Sequence, residues 1–127
     1  LYREGGQLSR AADYFRNLRA PDSEAEARLR FQLAETLYRM TDYEQAVLEY
    51  LKVAYLNEDQ FLFAVTARLR AADSYAHLGQ RDRAISMYRD IIERYGAESD
   101  YGRTAQEHLT NVQAGRMPGA LPPPPQG

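Results

Sequence analysis

Residues 79–91, GQRDRAISMYRDI, contain an alanine (Ala84), then a tyrosine four residues later and an isoleucine three residues after that. The same order of small, aromatic and aliphatic residues occurs in residues 41–53, TDYEQAVLEYLKV, and in residues 6–18, GQLSRAADYFRNL. Positions spaced in this way lie on one face of an α-helix. Each stretch therefore predicts an amphipathic helix, and the aligned alanines fall at positions 11, 46 and 84.

A second kind of helix is predicted before two of these stretches. Four residues of one helix correspond to four residues of the other: Phe31, Leu33, Ala34 and Leu37 match Leu69, Ala71, Ala72 and Tyr75. Each unit is thus a helical hairpin, in which an A helix precedes a B helix. Ala46 and Ala84 are 38 residues apart, and so are Ala34 and Ala72. We call this interval of 38 residues the long repeat spacing. The sequence predicts six helices, near residues 7–19, 23–40, 43–56, 60–78, 81–95 and 100–114.

Residues suited to helix ends agree with these boundaries. Ser23 with Glu26 and Thr41 with Glu44 have the spacing of a capping box. Asp59 is expected to cap the third unit's A helix. Two glycines are expected at helix ends, in a tight turn and in a left-handed C-cap: Gly79 and Gly96.

The chain ends in a proline-rich tail that cannot be helical. Its four consecutive prolines, Pro122, Pro123, Pro124 and Pro125, are expected to adopt polyproline II. We therefore expect a helical repeat domain over residues 1–114 and a tail over residues 115–127.

Residues 1–114 resemble the tetratricopeptide-repeat family through the pattern Gly/Thr-x4-Ala-x3-aromatic in each B helix. The resemblance implies an all-α, right-handed solenoid of antiparallel hairpins that binds macromolecules and catalyses no reaction. Two features depart from the family. Arg30 and Arg68 stand where a large apolar residue is usual, and the long repeat spacing exceeds the family's usual period. The longer spacing is similar to a bacterial envelope subgroup, which includes the periplasmic Tol-Pal-associated protein and the outer-membrane-assembly lipoprotein.

The composition excludes several other classes. With 127 residues, 44% hydrophobic and 27% charged, the chain is expected to form one domain of ordinary soluble type. A net charge of −2 argues against a polycation that seeks nucleic acid, and the absence of cysteine excludes disulfides and thiolate chemistry. The chain opens at Leu1, which leaves room for a removed leader.

No motif indicates catalysis, a metal or a cofactor. The two histidines, His77 and His108, fall on different helices without cysteines or clustered carboxylates, and both are expected to be exposed. Ser74 precedes His77 by three residues but lacks an orienting acid and an oxyanion device.

The resemblance implies that partners bind the inner face formed by successive A helices. Three interpretations of that face stay open: it grips an acidic or extended peptide, it stacks bases and pairs phosphates of a single nucleic-acid strand, or its residues are solvated and internally paired, as Glu35 and Arg39 could be. The expected binding residues are Arg28, Phe31, Gln32, Glu35, Tyr38, Arg39, Leu69, Arg70, Asp73 and His77.

The repeat begins and ends out of phase, in the order B, A-B, A-B, A. Because solenoid repeats bury their apolar faces only against neighbours, both ends are expected to be bare. One interpretation is that copies of this chain associate head-to-tail into an open filament, with the proline-rich tail bound to the neighbouring copy. A second is that the chain is a fragment of an envelope adaptor that binds a partner peptide, in which a longer array covered both ends. A third is a coat protein that binds RNA or a single nucleic-acid strand. The expected self-assembly residues are Leu8, Phe15, Leu18, Tyr101, Ala105, Leu109, Val112 and the four tail prolines.

Overall fold

The computed structural model describes residues 4–17 and 22–120, and these contain helices but no strand. The all-α prediction is confirmed, and each expected helix is present. The six helices are α1 (Glu4–Asn17), α2 (Ser23–Arg39), α3 (Tyr43–Leu56), α4 (Phe61–His77), α5 (Arg81–Tyr95) and α6 (Asp100–Gln113). Leu18 and the proline tail, Pro122 to Pro125, lie outside the described residues.

The helices form two layers. Each helix packs against the next one in the chain, and α4 also contacts α2 and α6. Within the described ranges, α1, α3 and α5 do not contact one another. Because the A helices α2, α4 and α6 lie closer together than the B helices, they form the inner layer of a curved array. We call the side of these three helices that faces away from the B helices the A-helix surface.

Two cores fill the space between the layers. The first contains Phe31, Tyr50 and Val53, and the second contains Tyr88 and Ile91. All five side chains are almost fully buried, and burying such a side chain contributes roughly 1.5–3 kcal/mol. In the two complete hairpins the repeat alanines are also fully buried, as their expected role in close helix packing requires: Ala34, Ala46, Ala72 and Ala84. In α1 the aligned Ala11 is only half-buried, and its neighbour Ala12 is buried instead.

Helices α2 and α3 begin where expected, but their N-cap residues differ from the prediction by one residue. Asp22 caps α2 by accepting a hydrogen bond from the Ala25 amide at 2.8 Å, and Asp42 caps α3 by accepting one from the Gln45 amide. Ser23 instead donates its hydroxyl to Asp59, at 2.9 Å. Asp59 therefore does not cap α4, whose N-cap Gln60 makes no side-chain cap bond. A carboxylate accepts amide hydrogen bonds more strongly than a hydroxyl.

The turn between A and B helices needs a residue with positive φ. Thr41 has φ of 60° and Gly79, the equivalent residue of the next hairpin, has φ of 78°. In both turns the following amide closes the end of the A helix, from Asp42 to the Leu37 carbonyl and from Gln80 to the Tyr75 carbonyl, each at 2.9 Å. Thr41 is thus used as a turn residue and is unavailable as a cap. Gly96 also has positive φ, 89°, but its ψ of 140° is not left-handed helical.

The two arginines that depart from the repeat pattern, Arg30 and Arg68, each find a partner near the α3–α4 turn. Arg30 donates to Glu26 at 2.7 Å and to Asn57 at 3.0 Å, and buried Asn57 donates back to Glu26. Arg68, only 2% exposed, lies over the ring of Tyr55 at 4.9 Å. Their long stems fill an apolar position while the guanidinium groups find polar or aromatic partners.

The expectation of a bare C-terminal face is wrong. Ala105, Leu109 and Val112 are buried inside the chain, in the second core. The positions of α6 that continue the repeat's interface to a next hairpin are polar and mostly exposed. Where α2 and α4 have Ala27 and Val65, Phe31 and Leu69, and Ala34 and Ala72, α6 has Arg103, Glu107 and Thr110. Helix α6 therefore presents a polar outer face, of the kind that the capping repeats of solenoids carry.

The other predicted assembly residues are also largely covered. Tyr101 is half-buried against Phe61 and Tyr95, with ring centroids 5.9 and 6.2 Å away. Leu8 is buried and Phe15 is half-buried against the first core. Among the described residues, no helix has the length and apolar character that a bilayer crossing demands.

Candidate functional site

The structure separates the predicted binding residues by depth. Phe31, Leu69 and Asp73 are at most 2% exposed, so they support the core and cannot line a binding surface. The remaining seven residues reach the A-helix surface: Gln32 and Arg39 are exposed, and Arg28, Glu35, Tyr38, Arg70 and His77 are half-buried.

A polar triad joins α2, α3 and α4. Glu35 on α2 accepts hydrogen bonds from the Tyr50 hydroxyl on α3 and from Arg70 on α4, whose Nε lies 2.6 Å from the carboxylate. Burial raises the pKa of Tyr50, and the charge of Glu35 raises it further, so the phenol stays a neutral donor. The triad ties two A helices and one B helix to a single carboxylate.

A second triad repeats the first in the next hairpin, at the long repeat spacing. Asp73 on α4 accepts from the Tyr88 hydroxyl on α5, and His108 on α6 lies 2.9 Å from the same carboxylate oxygen. All three side chains are fully buried. The prediction that His108 is exposed is therefore wrong, because the ring has a carboxylate partner inside the fold.

Asp73 controls the protonation of His108. Burial alone would lower the pKa of His108, but the hydrogen bond that the ring donates to Asp73 and the negative charge of Asp73 outweigh burial and raise the pKa above its usual 6.5. The other groups that face the ring are Tyr88 on α5, Glu107 on its own helix and the carbonyl of Ala120. Within the fold, the Asp73 carboxylate therefore favours the protonated ring over the neutral one.

This raised pKa predicts a pH-dependent stability. A group whose pKa is higher in the folded chain stabilises the fold fully below its unfolded pKa, and this contribution disappears as the pH rises through the folded value. The difference in unfolding free energy between wild type and His108→Gln should therefore be larger at pH 6 than at pH 8. Urea titrations at both pH values measure it, and an equal or larger difference at pH 8 would contradict the assignment.

An aromatic cluster lies at the surface where α2, α3 and α4 meet. Tyr43 stacks on His77 with ring centroids 4.4 Å apart and planes 5° apart, and Tyr38 contacts both rings edge-on. Burial lowers the pKa of His77, more than the charge of Asp73 raises it, so the stacked ring is neutral at pH 7. Arg70 lies over the other side of the cluster, 5.7 Å from the Tyr38 ring. Sequence reasoning did not assign Tyr43 to the surface.

Two arginines on α2 flank the accessible part of the A-helix surface. Arg28 pairs with Glu24 at 3.0 Å and lies 5.4 Å above the Phe63 ring. Arg39 is exposed and has no ion-pair partner among the described residues. Glu35, whose spacing would allow a pair with Arg39, pairs with Arg70 instead. Three turns of helix separate the two arginines, a distance of about 16 Å.

Within residues 4–17 and 22–120, no three histidine, aspartate or glutamate side chains could together hold a metal ion. The Ser74 hydroxyl donates to the Arg70 carbonyl of its own helix, at 2.8 Å, and so does not point at His77.

Comparison with known protein families matches both complete hairpins. A family model described as a tetratricopeptide repeat matches residues 27–60, which contain most of α2 and all of α3. A second model with the same description matches residues 66–97, from α4 to the end of α5. Together the matches span a little over half of the chain. Comparison with curated proteins and with solved structures gave no match.

Proposed function

Because the chain belongs to the tetratricopeptide-repeat family, we propose that it is a non-catalytic protein-interaction scaffold whose A-helix surface binds an extended, acidic peptide segment of a partner protein. The observation that carries this proposal is the group formed by Arg39 and the aromatic cluster. Among the described residues, Arg39 is an exposed cation without an ion-pair partner, and it directly follows Tyr38, whose ring packs against Tyr43 and His77.

The dimensions of the surface suit a short extended segment. The distance of about 16 Å between Arg28 and Arg39 corresponds to about five residues of extended peptide. A guanidinium group binds a carboxylate with two parallel hydrogen bonds, so an arginine at each end favours a segment with spaced acidic residues. The aromatic cluster offers apolar contact near the Arg39 end.

A peptide fits this surface better than a nucleic-acid strand does. On α4, Arg70 is engaged by Glu35, and Arg68 is buried against Tyr55, so neither is free to pair with phosphates. Nucleic-acid grooves need a continuous positive path along the strand. The chain as a whole carries a net charge of −2.

We expect charge reversal on α2 to abolish binding. The probe is a fluorescein-labelled decapeptide with aspartate at every second position, and its affinity is measured by fluorescence anisotropy. Arg28→Glu with Arg39→Glu should weaken binding at least ~tenfold, since hydrogen bonds between two charged groups are lost.

The matched control is Arg89→Glu, which reverses an exposed charge on the B helix α5. It should change the affinity less than about twofold, because it lies in the other layer and any effect is long-range and screened. Equal losses in both variants would contradict a localised site. Tighter binding of a ten-nucleotide oligothymidine than of the peptide would favour the nucleic-acid alternative.

Two more specific proposals are each supported by one observation. Head-to-tail self-association is supported only at α1, where Tyr14 is 62% exposed beside half-buried Phe15. The polar outer face of α6, with Arg103, Glu107 and Thr110, opposes it. An adaptor role like that of the bacterial envelope subgroup draws on the long repeat spacing between the two matched hairpins.

A further inference from the structure

The chain reverses direction after α6 and returns along this helix. Gly115, with φ of 80°, makes the turn, and the Arg116 amide bonds to the Asn111 carbonyl at 2.8 Å. Pro118 is buried although no helix follows within the described residues. Residues 116–120 therefore pack on the side of α6 that carries Asn111 and His108.

Two side chains of α6 hold alternate carbonyls of this segment. The Asn111 amide Nδ2 donates to the Pro118 carbonyl at 2.9 Å, and His108 Nε2 lies 3.0 Å from the Ala120 carbonyl. The Arg116 guanidinium donates to Asn111 Oδ1 at 2.9 Å and so fixes the orientation of the amide. Recognition of every second carbonyl by side chains is specific for an extended main chain and tolerant of its side chains.

Asn111 occupies the position of the triad carboxylates. The long repeat spacing leads from Glu35 to Asp73 and then from Asp73 to Asn111. Each carboxylate accepts from a tyrosine on the following B helix, Tyr50 or Tyr88. At Asn111 the side chain is an amide, and its donor is directed to a main-chain carbonyl. A carboxylate can accept a hydrogen bond from a tyrosine hydroxyl but cannot donate one. An amide can donate, and so it can bond to a main-chain carbonyl.

We propose that His108 and Asn111 form a main-chain docking subsite at the α6 end of the A-helix surface, that it binds an extended peptide containing Pro-Gly, and that residues 116–120 of this chain occupy it in cis. The proposal deepens the proposed function and rests on it for the role of the surface in peptide binding. While the segment is docked, a peptide in trans is excluded from α6.

Docking is linked to a proton on His108. Its Nδ1 faces the Asp73 carboxylate on α4 and its Nε2 faces the Ala120 carbonyl, so only the ring with two N–H groups satisfies both acceptors. Tyr88 on α5 donates to the same carboxylate, and Glu107 adds negative charge from α6. When the ring loses a proton, Asp73 retains the Nδ1–H, and the Nε2 lone pair then faces the Ala120 oxygen. The segment is released as the pH rises.

The test uses a substitution that cannot disturb the helical core. Gly119 has φ of 111°, which side chains rarely adopt, and a Cβ would lie 3.5 Å from Asn111 Nδ2. Gly119→Ala in the full chain should reduce docking at least ~tenfold. The control is Met117→Ala, which changes a side chain that is 61% exposed in the same segment.

Docking is read from the side-chain amide signals of Asn111 in nuclear magnetic resonance spectra. In wild type and Met117→Ala these protons should exchange slowly at pH 6, and exchange in Gly119→Ala should be at least ~tenfold faster. The Ala120 carbonyl shift should titrate between pH 6 and pH 8 in wild type and not in Gly119→Ala. Identical Asn111 signals in all three proteins, or an Ala120 shift without titration in wild type, would overturn the proposal.

A second measurement tests the subsite in trans. A labelled peptide with the sequence of residues 115–121, GRMPGAL, should bind Gly119→Ala at least ~tenfold more tightly than wild type, because a tethered occupant competes at an effective concentration in the millimolar range. Equal affinities would overturn the proposal. Arg28→Glu with Arg39→Glu should leave this result unchanged, so failure of the proposed function is distinguishable from failure of the docking subsite.

Discussion

Replacing Asp73 by alanine is expected to lower the free energy of unfolding by about 3–5 kcal/mol, the range measured when one partner of a buried ion pair is removed. Asp73 is fully buried and accepts from both Tyr88 and His108. Without it, a phenol and an imidazole would remain buried without their acceptor. The loss is a large share of the total stability of a typical domain, about 5–15 kcal/mol.

The repeat supplies a matched control for Asp73. Glu35 has the same role in the preceding hairpin, with Tyr50 and Arg70 as donors, but its side chain is 22% exposed. Water can therefore replace its hydrogen bonds in part, and Glu35→Ala should cost about 1–2 kcal/mol. Urea denaturation followed by circular dichroism compares the two. Equal losses would show that burial does not set the strength of the triad, and the explanation given for Asp73 would be wrong.

The B-helix pattern was sufficient to predict the fold. The alanine and the aromatic four residues later define which side of each B helix is buried, and the long repeat spacing placed the matching A helices. The N-cap residues were less well determined by the sequence. In Asp22-Ser23 and in Thr41-Asp42 two capping residues stand side by side, and only the backbone geometry decides between them: Thr41 is taken by the turn, at φ of 60°.

The sequence assigned the candidate binding residues to one helix face but could not give the depth of each side chain. Periodicity assigns a residue to a helix face, whereas burial of a polar residue depends on a partner in another hairpin, such as Arg70 for Glu35. The long repeat spacing was applied to apolar residues only. Applied to polar residues, it would have aligned Arg70 with His108 and Asp73 with Asn111, and so indicated a partner for the buried histidine.

Applying the long repeat spacing to the polar residues of α6 would also have corrected the expectation of a bare C-terminal face. Continuing the A-helix interface positions through α6 replaces Phe31 and Leu69 by Glu107, and Ala34 and Ala72 by Thr110. A charged residue at that position cannot pack against another hairpin without losing its hydration. The polar face of α6 is therefore encoded in the repeat itself, and the buried face is formed by its apolar residues, Ala105, Leu109 and Val112.

Substitution of Gly102 by alanine is expected to be the most damaging single change at a glycine. Gly102 lies in the first turn of α6, buried against the loop that follows α5. Its amide donates the capping hydrogen bond to the Ser99 hydroxyl at 2.9 Å. A Cβ at this position would lie 2.8 Å from the Gly96 carbonyl carbon, 3.1 Å from the Ala97 Cα and closer still to the Gly96 oxygen.

Because those atoms are backbone, they cannot rotate away as a side chain could, and either α6 or the loop must move. We expect a loss of about 3 kcal/mol or more in unfolding free energy, at the upper end of what overpacking costs. Gly79→Ala is the control, since its φ of 78° strains an alanine by about 1–2 kcal/mol while its Cβ would meet open space. Thermal and urea denaturation rank the two variants. If Gly79→Ala were the more damaging, the close approach of α6 to the α5–α6 loop would not be a constraint on the fold, and conformational freedom alone would explain the glycine at 102.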